Sequence, residues 1–316
     1  MALLLNEQQV RTLLPMPDLI DAMEQALTAY SSGAVEQPVR TVVDVGPDKN
    51  YFGVMPAYVG GARESLGAKL VTFFVTNTAR GIPTHFATIL LLDPETGKLT
   101  AILDGRYLTE ARTAAVSAVS ARWLARPESK RLAIIGSGVQ AHSHVEALRH
   151  VFQFDQITAW SPTRSKLEEF CQANGAVAAS SAEEAVRDAD MVALVSAARE
   201  PVVMDEWIRP GTHIMAVGAC RPNHRELDGK LVARARVIVD SRAGALREAG
   251  DILIPLAEKL FDASHIAAEL GERPKRQSAD EITLFKSLGM AVEDVVSARL
   301  VYDRARAVGV GAEFEF

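Results

Sequence analysis

Residues 136–141 read Gly-Ser-Gly-Val-Gln-Ala and follow the short apolar run 132–135. This G-x-G-x-x-A spacing, with a strand before it and a helix after, is the pattern that holds a dinucleotide pyrophosphate. Gly136 permits the tight turn, Gly138 keeps a Cβ out of the phosphate's approach, and Ala141 lets helix and strand pack closely. The helix N-terminus adds unpaired N–H groups for an anion. Val139 and Gln140 belong to the same loop and are expected to line it. About 20 residues further on, NAD-preferring folds carry an acidic residue for the ribose hydroxyls. Here the second strand ends at Trp160 and runs into Ser161-Pro-Thr-Arg-Ser-Lys166, with hydroxyls and cations and no carboxylate. That chemistry suits a 2′-phosphate, with Arg164 as a planar donor and Ser161 and Thr163 donating hydrogen bonds. NADPH is the expected cofactor and NADH the alternative; the competing reading makes Arg164 and Lys166 solvated first-turn residues of a helix. Trp160 either packs internally or flanks the adenine. Ser196, Ala197 and Val217 stand at later strand ends, where small residues would let the nicotinamide half approach the backbone.

The elements that must position these residues fall into two patterns. Residues 16–32 have helical spacing, with Leu19, Ile20, Met23, Ala26, Leu27 and Tyr30 on one face. Strand-like segments follow at 40–45, 51–58, 65–75, 84–93 and 99–103, separated by turn signals such as Gly46-Pro47-Asp48 and Asp93-Pro94-Glu95-Thr96-Gly97. Short turns between strands predict an antiparallel sheet. An Ala-rich helix is expected over 109–125. From Lys130 onward, apolar strands at 131–135, 156–160, 191–195, 213–217 and 237–240 alternate with helices such as 165–173 and 182–187. That alternation predicts a doubly wound α/β Rossmann sheet, parallel and covered on both faces. Residues 282–307 read as one long helix or two, returning to the first domain. The expected division is therefore 1–115 plus 291–316 as a β-rich α+β domain, and 116–290 as the Rossmann domain.

Composition limits the functional classes. The chain has 316 residues, 48% hydrophobic and 23% charged, with a net charge of −6. That is ordinary for a soluble globular protein, and too acidic for a general nucleic-acid binder. No apolar run reaches the ~18 residues of a membrane span. Two distant cysteines, Cys171 and Cys220, fit a reducing cytoplasm, and the seven histidines form no metal-ligand pattern.

Six ordered segments carry more. They are Gln37-Pro-Val-Arg-Thr41, Gly67-Ala-Lys-Leu-Val-Thr72, Glu110-Ala-Arg-Thr-Ala-Ala115, Gly136-Ser-Gly-Val-Gln-Ala141, Gly218-Ala-Cys-Arg-Pro222 and Phe285-Lys-Ser-Leu-Gly-Met-Ala-Val-Glu-Asp294. Together the chain resembles the ornithine cyclodeaminase/mu-crystallin family over nearly its whole length, closest to the mu-crystallin and ketimine reductase branch. The resemblance implies that Arg40, Lys69 and Arg112 hold a substrate carboxylate beside the nicotinamide, with Lys69 also the catalytic candidate. Their residue types agree: Lys69 lies in an apolar strand, and Arg112 is expected in the first turn of its helix, where a bound anion would explain a cation opposing the dipole. The competing reading for each is a surface charge or an ion pair, for instance with Glu110 or Asp104. By the same resemblance Arg112, Thr84, His85, Thr113 and Ser287 contact the cofactor, and Glu248 lines the substrate pocket; a structural hydrogen bond is the alternative for His85, and a surface charge for Glu248. His142 and His144 read as structural or solvent-facing. A homodimer built through the β-rich domain is also implied.

One departure bears on the reaction. Cyclodeaminases of the family carry an aspartate where this chain has Cys220, and that aspartate serves amine deprotonation and ring closure. A thiol with a pKa of about 8.5 is a poor substitute for it. Reduction of a preformed cyclic imino acid, 1-pyrroline-2-carboxylate or 1-piperideine-2-carboxylate, to L-proline or L-pipecolate needs no such base. The alternatives are ornithine cyclodeaminase, an NAD-dependent alanine dehydrogenase, and a non-catalytic NADPH or small-ligand binder of mu-crystallin type.

Overall fold

The computed structural model describes residues 1–46, 50–61 and 64–315. They divide into two units, Met1–Thr113 with Met290–Phe316, and Ala114–Gly289. The first unit begins with β1 (Ala2–Leu5), α1 (Glu7–Leu13), α2 (Met16–Ser31), β2 (Val35–Glu36) and β3 (Thr41–Val45). It continues through β4 (Asn50–Val59), β5 (Ser65–Phe73), β6 (His85–Leu92) and β7 (Leu99–Asp104), and the division falls inside α3 (Arg106–Leu124). The second unit opens with β8 (Arg131–Ile135), α4 (Val139–Arg149), β9 (Gln156–Trp160), α5 (Arg164–Asn174) and β10 (Val177–Ala178). Next come α6 (Ala182–Val186), β11 (Met191–Leu194), β12 (His213–Ala216), α7 (Gly229–Arg234) and β13 (Arg236–Val239). It ends with α8 (Arg242–Glu248), α9 (Gly250–Ala257), β14 (Ile266–Glu269) and β15 (Thr283–Lys286); α10 (Ala291–Val308) and β16 (Ala312–Phe314) belong to the first unit.

In the first unit β4, β5, β6 and β7 pair antiparallel in sequence order, joined by connections too short for a crossover helix. The turn signal at Pro47 and Asp48 lies outside the described residues. β1 adds an element the sequence reading left out: it pairs parallel with β7 and antiparallel with β16. Burial alternates along β4 and β5, so one face of the sheet is covered. Ser65, Gly67, Lys69 and Val71 are the inward residues of β5, and Lys69 stands in register between Met55 and Ile89. The pleat itself thus carries the Lys69 side chain to the covered face. α10 packs on β4, β5 and β6 and on α2. A Cβ on Gly67 would lie 2.4 Å from the Leu90 carbonyl oxygen and 3.3 Å from Val295. Glycine there lets α10 settle on the strands two residues from Lys69.

The second unit is a wholly parallel eight-stranded sheet, ordered β10-β9-β8-β11-β12-β15-β13-β14. β8, β11, β12 and β15 are buried along nearly their whole lengths, because helices cover both faces. Chain order reverses between β8 and β11, which makes their carboxyl ends the topological switch point.

One expected element is corrected. Residues 282–307 are not continuous helix: Thr283–Lys286 is a strand inserted between β12 and β13, and the helix starts at Ala291. The apolar run is too short to distinguish helix from buried strand by periodicity, and Gly289, at φ 80°, breaks the chain direction between the two.

Candidate functional site

Two constellations emerge, one in each unit. In the first, β5 delivers Lys69, α3 delivers Arg112, and the first turn of α10 delivers Glu293 and Asp294. Lys69 Nζ lies 2.7 Å from Asp294 Oδ2. Arg112 donates from Nε to Asp294 Oδ1 at 2.9 Å and from Nη1 to Glu293 Oε2 at 2.6 Å. Lys69 and Arg112 are almost wholly buried and both carboxylates completely so. Acidic residues suit a helix N-terminus, so the α10 dipole helps hold these charges in place.

Electrostatics follow from this packing. Burial, opposed by Asp294 and aided by Arg112 and Arg40, lowers the Lys69 pKa to about 8. Arg40, just ahead of β3 and half-buried, is therefore close enough to act on the same ammonium. Burial raises the Asp294 carboxyl, but Arg112 and Lys69 outweigh it and hold the group below its usual range. His85, at the start of β6, is pushed down to about 4 by burial, then by Lys69 and Arg112, and is a neutral imidazole at pH 7.

Lys69, Arg112 and Arg40 thus come together, but with other partners than expected. α3 begins at Arg106, three residues earlier than expected, so Arg112 lies in the second turn and opposes no helix N-terminus. Asp104 Oδ1 accepts from the Arg106 N–H, and Glu110 pairs with Arg106. Arg112 pairs with Glu293 and Asp294, whose roles the sequence reading missed although both stand in the last resembling segment. Their signal was a pair of adjacent acids in the first turn of the helix. Thr84 accepts the Phe74 N–H through its carbonyl, and Thr113 donates its hydroxyl to the Thr109 carbonyl at 2.7 Å.

In the second unit Gly136 ends β8 at φ 124°, and a Cβ there would lie 2.8 Å from the Val195 carbonyl oxygen. Gly138 is the N-cap of α4; it provides no side-chain cap, and a Cβ on it would meet nothing within 4 Å. Internal packing therefore does not demand glycine at 138. Gln140 Oε1 is buried without a hydrogen-bond partner, Val139 is exposed, and Ala141 is fully buried. The open, uncapped helix N-terminus at Gly138 fits a bound pyrophosphate, whereas Gln140 Oε1, an acceptor, calls for a donor. Ser137, after β8, donates to Ser161, after the neighbouring β9, at 3.0 Å. Thr163 caps α5 and is exposed, and Arg164 donates to Glu168 at 2.7 Å on the helix surface. A carboxylate one turn into α5 therefore half-neutralises the basic strand end.

The remaining candidates scatter along the carboxyl edge. Ser196 and Ala197 follow β11, and Val217 follows β12. Ser196 donates through both N–H and hydroxyl to the buried Glu226, which the sequence reading did not single out. Ser287 is buried, with its hydroxyl 3.4 Å from Asp240 Oδ2. Glu248 is the last residue of α8 and half-buried. Cys220 is exposed, its thiol 3.2 Å from the Val217 carbonyl oxygen. His144 is buried against Ser117, and His142 edges onto Phe170, both structural positions. No metal-binding cluster of His, Cys, Asp or Glu occurs among the described residues.

A dinucleotide-type parallel sheet with a β-rich unit that buries paired cations and acids defines an oxidoreductase-like class. Residues 2–309 match the ornithine cyclodeaminase/mu-crystallin family, and the chain belongs to that family. It is 46% identical to the ketimine reductase mu-crystallin of Rattus norvegicus over 90% of this chain and 91% of the relative. It is 32% identical to the alanine dehydrogenase of Archaeoglobus fulgidus, covering 99% and 98% of the two chains. The structure of Thermococcus litoralis Δ1-pyrroline-2-carboxylate reductase with NADH and L-proline superposes at a TM-score of 0.94, with 37% identity, covering 99% of this chain and 100% of that one.

Proposed function

We propose that this chain reduces cyclic ketimine carboxylates with NAD(P)H, converting 1-pyrroline-2-carboxylate or 1-piperideine-2-carboxylate to L-proline or L-pipecolate. The observation that carries the reading is the buried Lys69 ammonium, 2.7 Å from Asp294 and beside Arg112, with its pKa lowered to about 8. Such a group is mostly protonated at neutral pH and has a proton it can release. The rat and T. litoralis relatives support the same reaction class.

The nicotinamide, when bound, supplies the hydride that the imine carbon takes. The protein does the rest. Arg40 and Arg112 orient the ring carboxylate, Arg112 itself being held by Glu293 and Asp294. Lys69 holds a proton at Nζ for the imine nitrogen, so that C=N becomes CH–NH and the secondary amine leaves as product. Glu248 is assigned to the pocket wall, and Thr84, His85, Thr113 and Ser287 to the nicotinamide half. Gly136, Gly138, Val139 and Gln140 receive the pyrophosphate, Ser196, Ala197 and Val217 the nicotinamide edge, and Ser161, Thr163 and Arg164 the 2′-phosphate of NADPH. The β-rich unit binds substrate and forms a homodimer, and the protein works in the cytoplasm; the exposed β3 strand and the Cys171 and Cys220 thiols support those assignments. No helix among the described residues is long and apolar enough to cross a membrane.

Alanine dehydrogenation is the second reading, favoured by the A. fulgidus relative. Assays with both imines and both reduced nucleotides, set beside L-alanine or L-ornithine with NAD⁺, separate the possibilities. The proposal expects saturable imine reduction, faster with NADPH, and no ammonia from ornithine, since Cys220 replaces the cyclodeaminase aspartate. Turnover of L-alanine with neither imine accepted would overturn it.

A further inference from the structure

The loop between β12 and α7 buries a carboxylate that the reaction above does not use. Glu226 is 0% exposed. Its Oε1 accepts the Ser196 N–H at 2.8 Å and the Ser196 hydroxyl at 2.7 Å; its Oε2 accepts the Gly218 N–H at 2.7 Å and the Ala219 N–H at 3.2 Å. Two oxygens thus collect four donors, from the segments that follow β11 and β12. Burying a carboxylate is costly, and only an ionised one offers two acceptor oxygens with no donor of its own. A glutamine would turn an NH₂ group against the N–H groups on one side.

The loop is itself anchored. Asp251, at the start of α9, accepts the N–H groups of Glu226 and Leu227 at 2.8 and 3.1 Å, and its Oδ2 lies 3.0 Å from the buried Lys286 Nζ at the end of β15. The Cys220 thiol acts on the same ammonium. Asp251, Cys220 and Glu226 thus all bear on the Lys286 charge.

We infer that Glu226 is a positioning residue of the nucleotide edge: its carboxylate ties the backbone after β11 to the backbone after β12, in the shape that receives the nicotinamide half of the cofactor. The inference rests on the cofactor reading above. Burial, then Asp251, push the Glu226 pKa up to about 7, against Lys286 and the Ser196 hydrogen bonds. A pKa raised in the tied state means that this edge holds a proton more readily than an exposed carboxylate does, so acid does not of itself loosen it; removing the carboxylate does.

The test is NADH binding by fluorescence at pH 8.5, where the Glu226 carboxylate is ionised. Glu226→Gln should bind NADH at least tenfold more weakly than wild type, while the KM for the imine at saturating nucleotide stays within twofold. Affinity within twofold of wild type in Glu226→Gln, or an imine KM raised as much as the NADH affinity falls, overturns the inference. Should circular dichroism report that Glu226→Gln is unfolded, Ser196→Ala decides. It keeps Glu226 and the backbone donor but removes one hydrogen bond of the tie, so NADH affinity should drop about threefold. An unchanged affinity in Ser196→Ala overturns the inference. Wild-type protein that binds neither NADH nor NADPH removes the cofactor reading itself, and this inference with it.

Discussion

At Arg112 a cation that the sequence offers as a carboxylate clamp turns out to hold two carboxylates of its own protein. Its removal therefore has a second consequence beyond weaker substrate binding. Arg112→Ala leaves Glu293 and Asp294 buried with one partner fewer, which should cost about 3–5 kcal/mol of stability, measurable by urea unfolding, alongside a raised KM for the imine. An unchanged unfolding midpoint would contradict the ion pairs. Lys69 sets the pH dependence. Its protonated form is the working one, so kcat/KM for the imine should fall as pH rises through about 8, and Lys69→Met should lower kcat by about 100-fold or more. Arg40, Lys69 and Arg112 were legible because their charges stand in otherwise apolar or motif-bearing segments. The acids that face Arg112 were not: 182 residues separate it from Asp294, and sequence spacing carries no information about contacts at that distance.

Elements place these residues through close approaches that the sequence signals only weakly. Gly67 is one. Its substitution by Ala puts a methyl against the Leu90 carbonyl and Val295, which should cost about 1–3 kcal/mol. Because α10 carries Asp294, the same change should lower kcat more than it raises KM. A variant with normal kinetics and a normal Tm would show that α10 does not depend on that glycine. At the nucleotide end, Arg164→Ala should cut the NADPH-to-NADH preference about tenfold, or about 1.4 kcal/mol, at the level of an ion-pair partner for a phosphate. The glycine motif and its flanking β8 and α4 were readable because strand, turn and helix each leave a local signature. β15 was not, since four apolar residues fit a buried strand or a helix turn equally well. Glu168, which tempers Arg164, escaped notice because it lies beyond the strand end where acidic residues are sought.

For the whole molecule, the change from turn-linked strands to strand–helix alternation made two architectures legible in the sequence. The parallel order, with β15 threaded between β12 and β13, needed the structure, because strand order depends on which crossover each helix makes. β1 was missed for a related reason: it pairs with β7 and β16, both far away in sequence. If the first unit assembles as proposed, sedimentation should report a homodimer at micromolar concentration, and a monomer at that concentration would remove that assignment. The central claim concerns the reaction. Its most direct measurement is the stoichiometry of 1-pyrroline-2-carboxylate reduction, with chiral analysis of the product. The account predicts one L-proline formed for each NADPH oxidised; no NADPH oxidation with this imine or its six-membered homologue, in protein that binds the nucleotide, would contradict it.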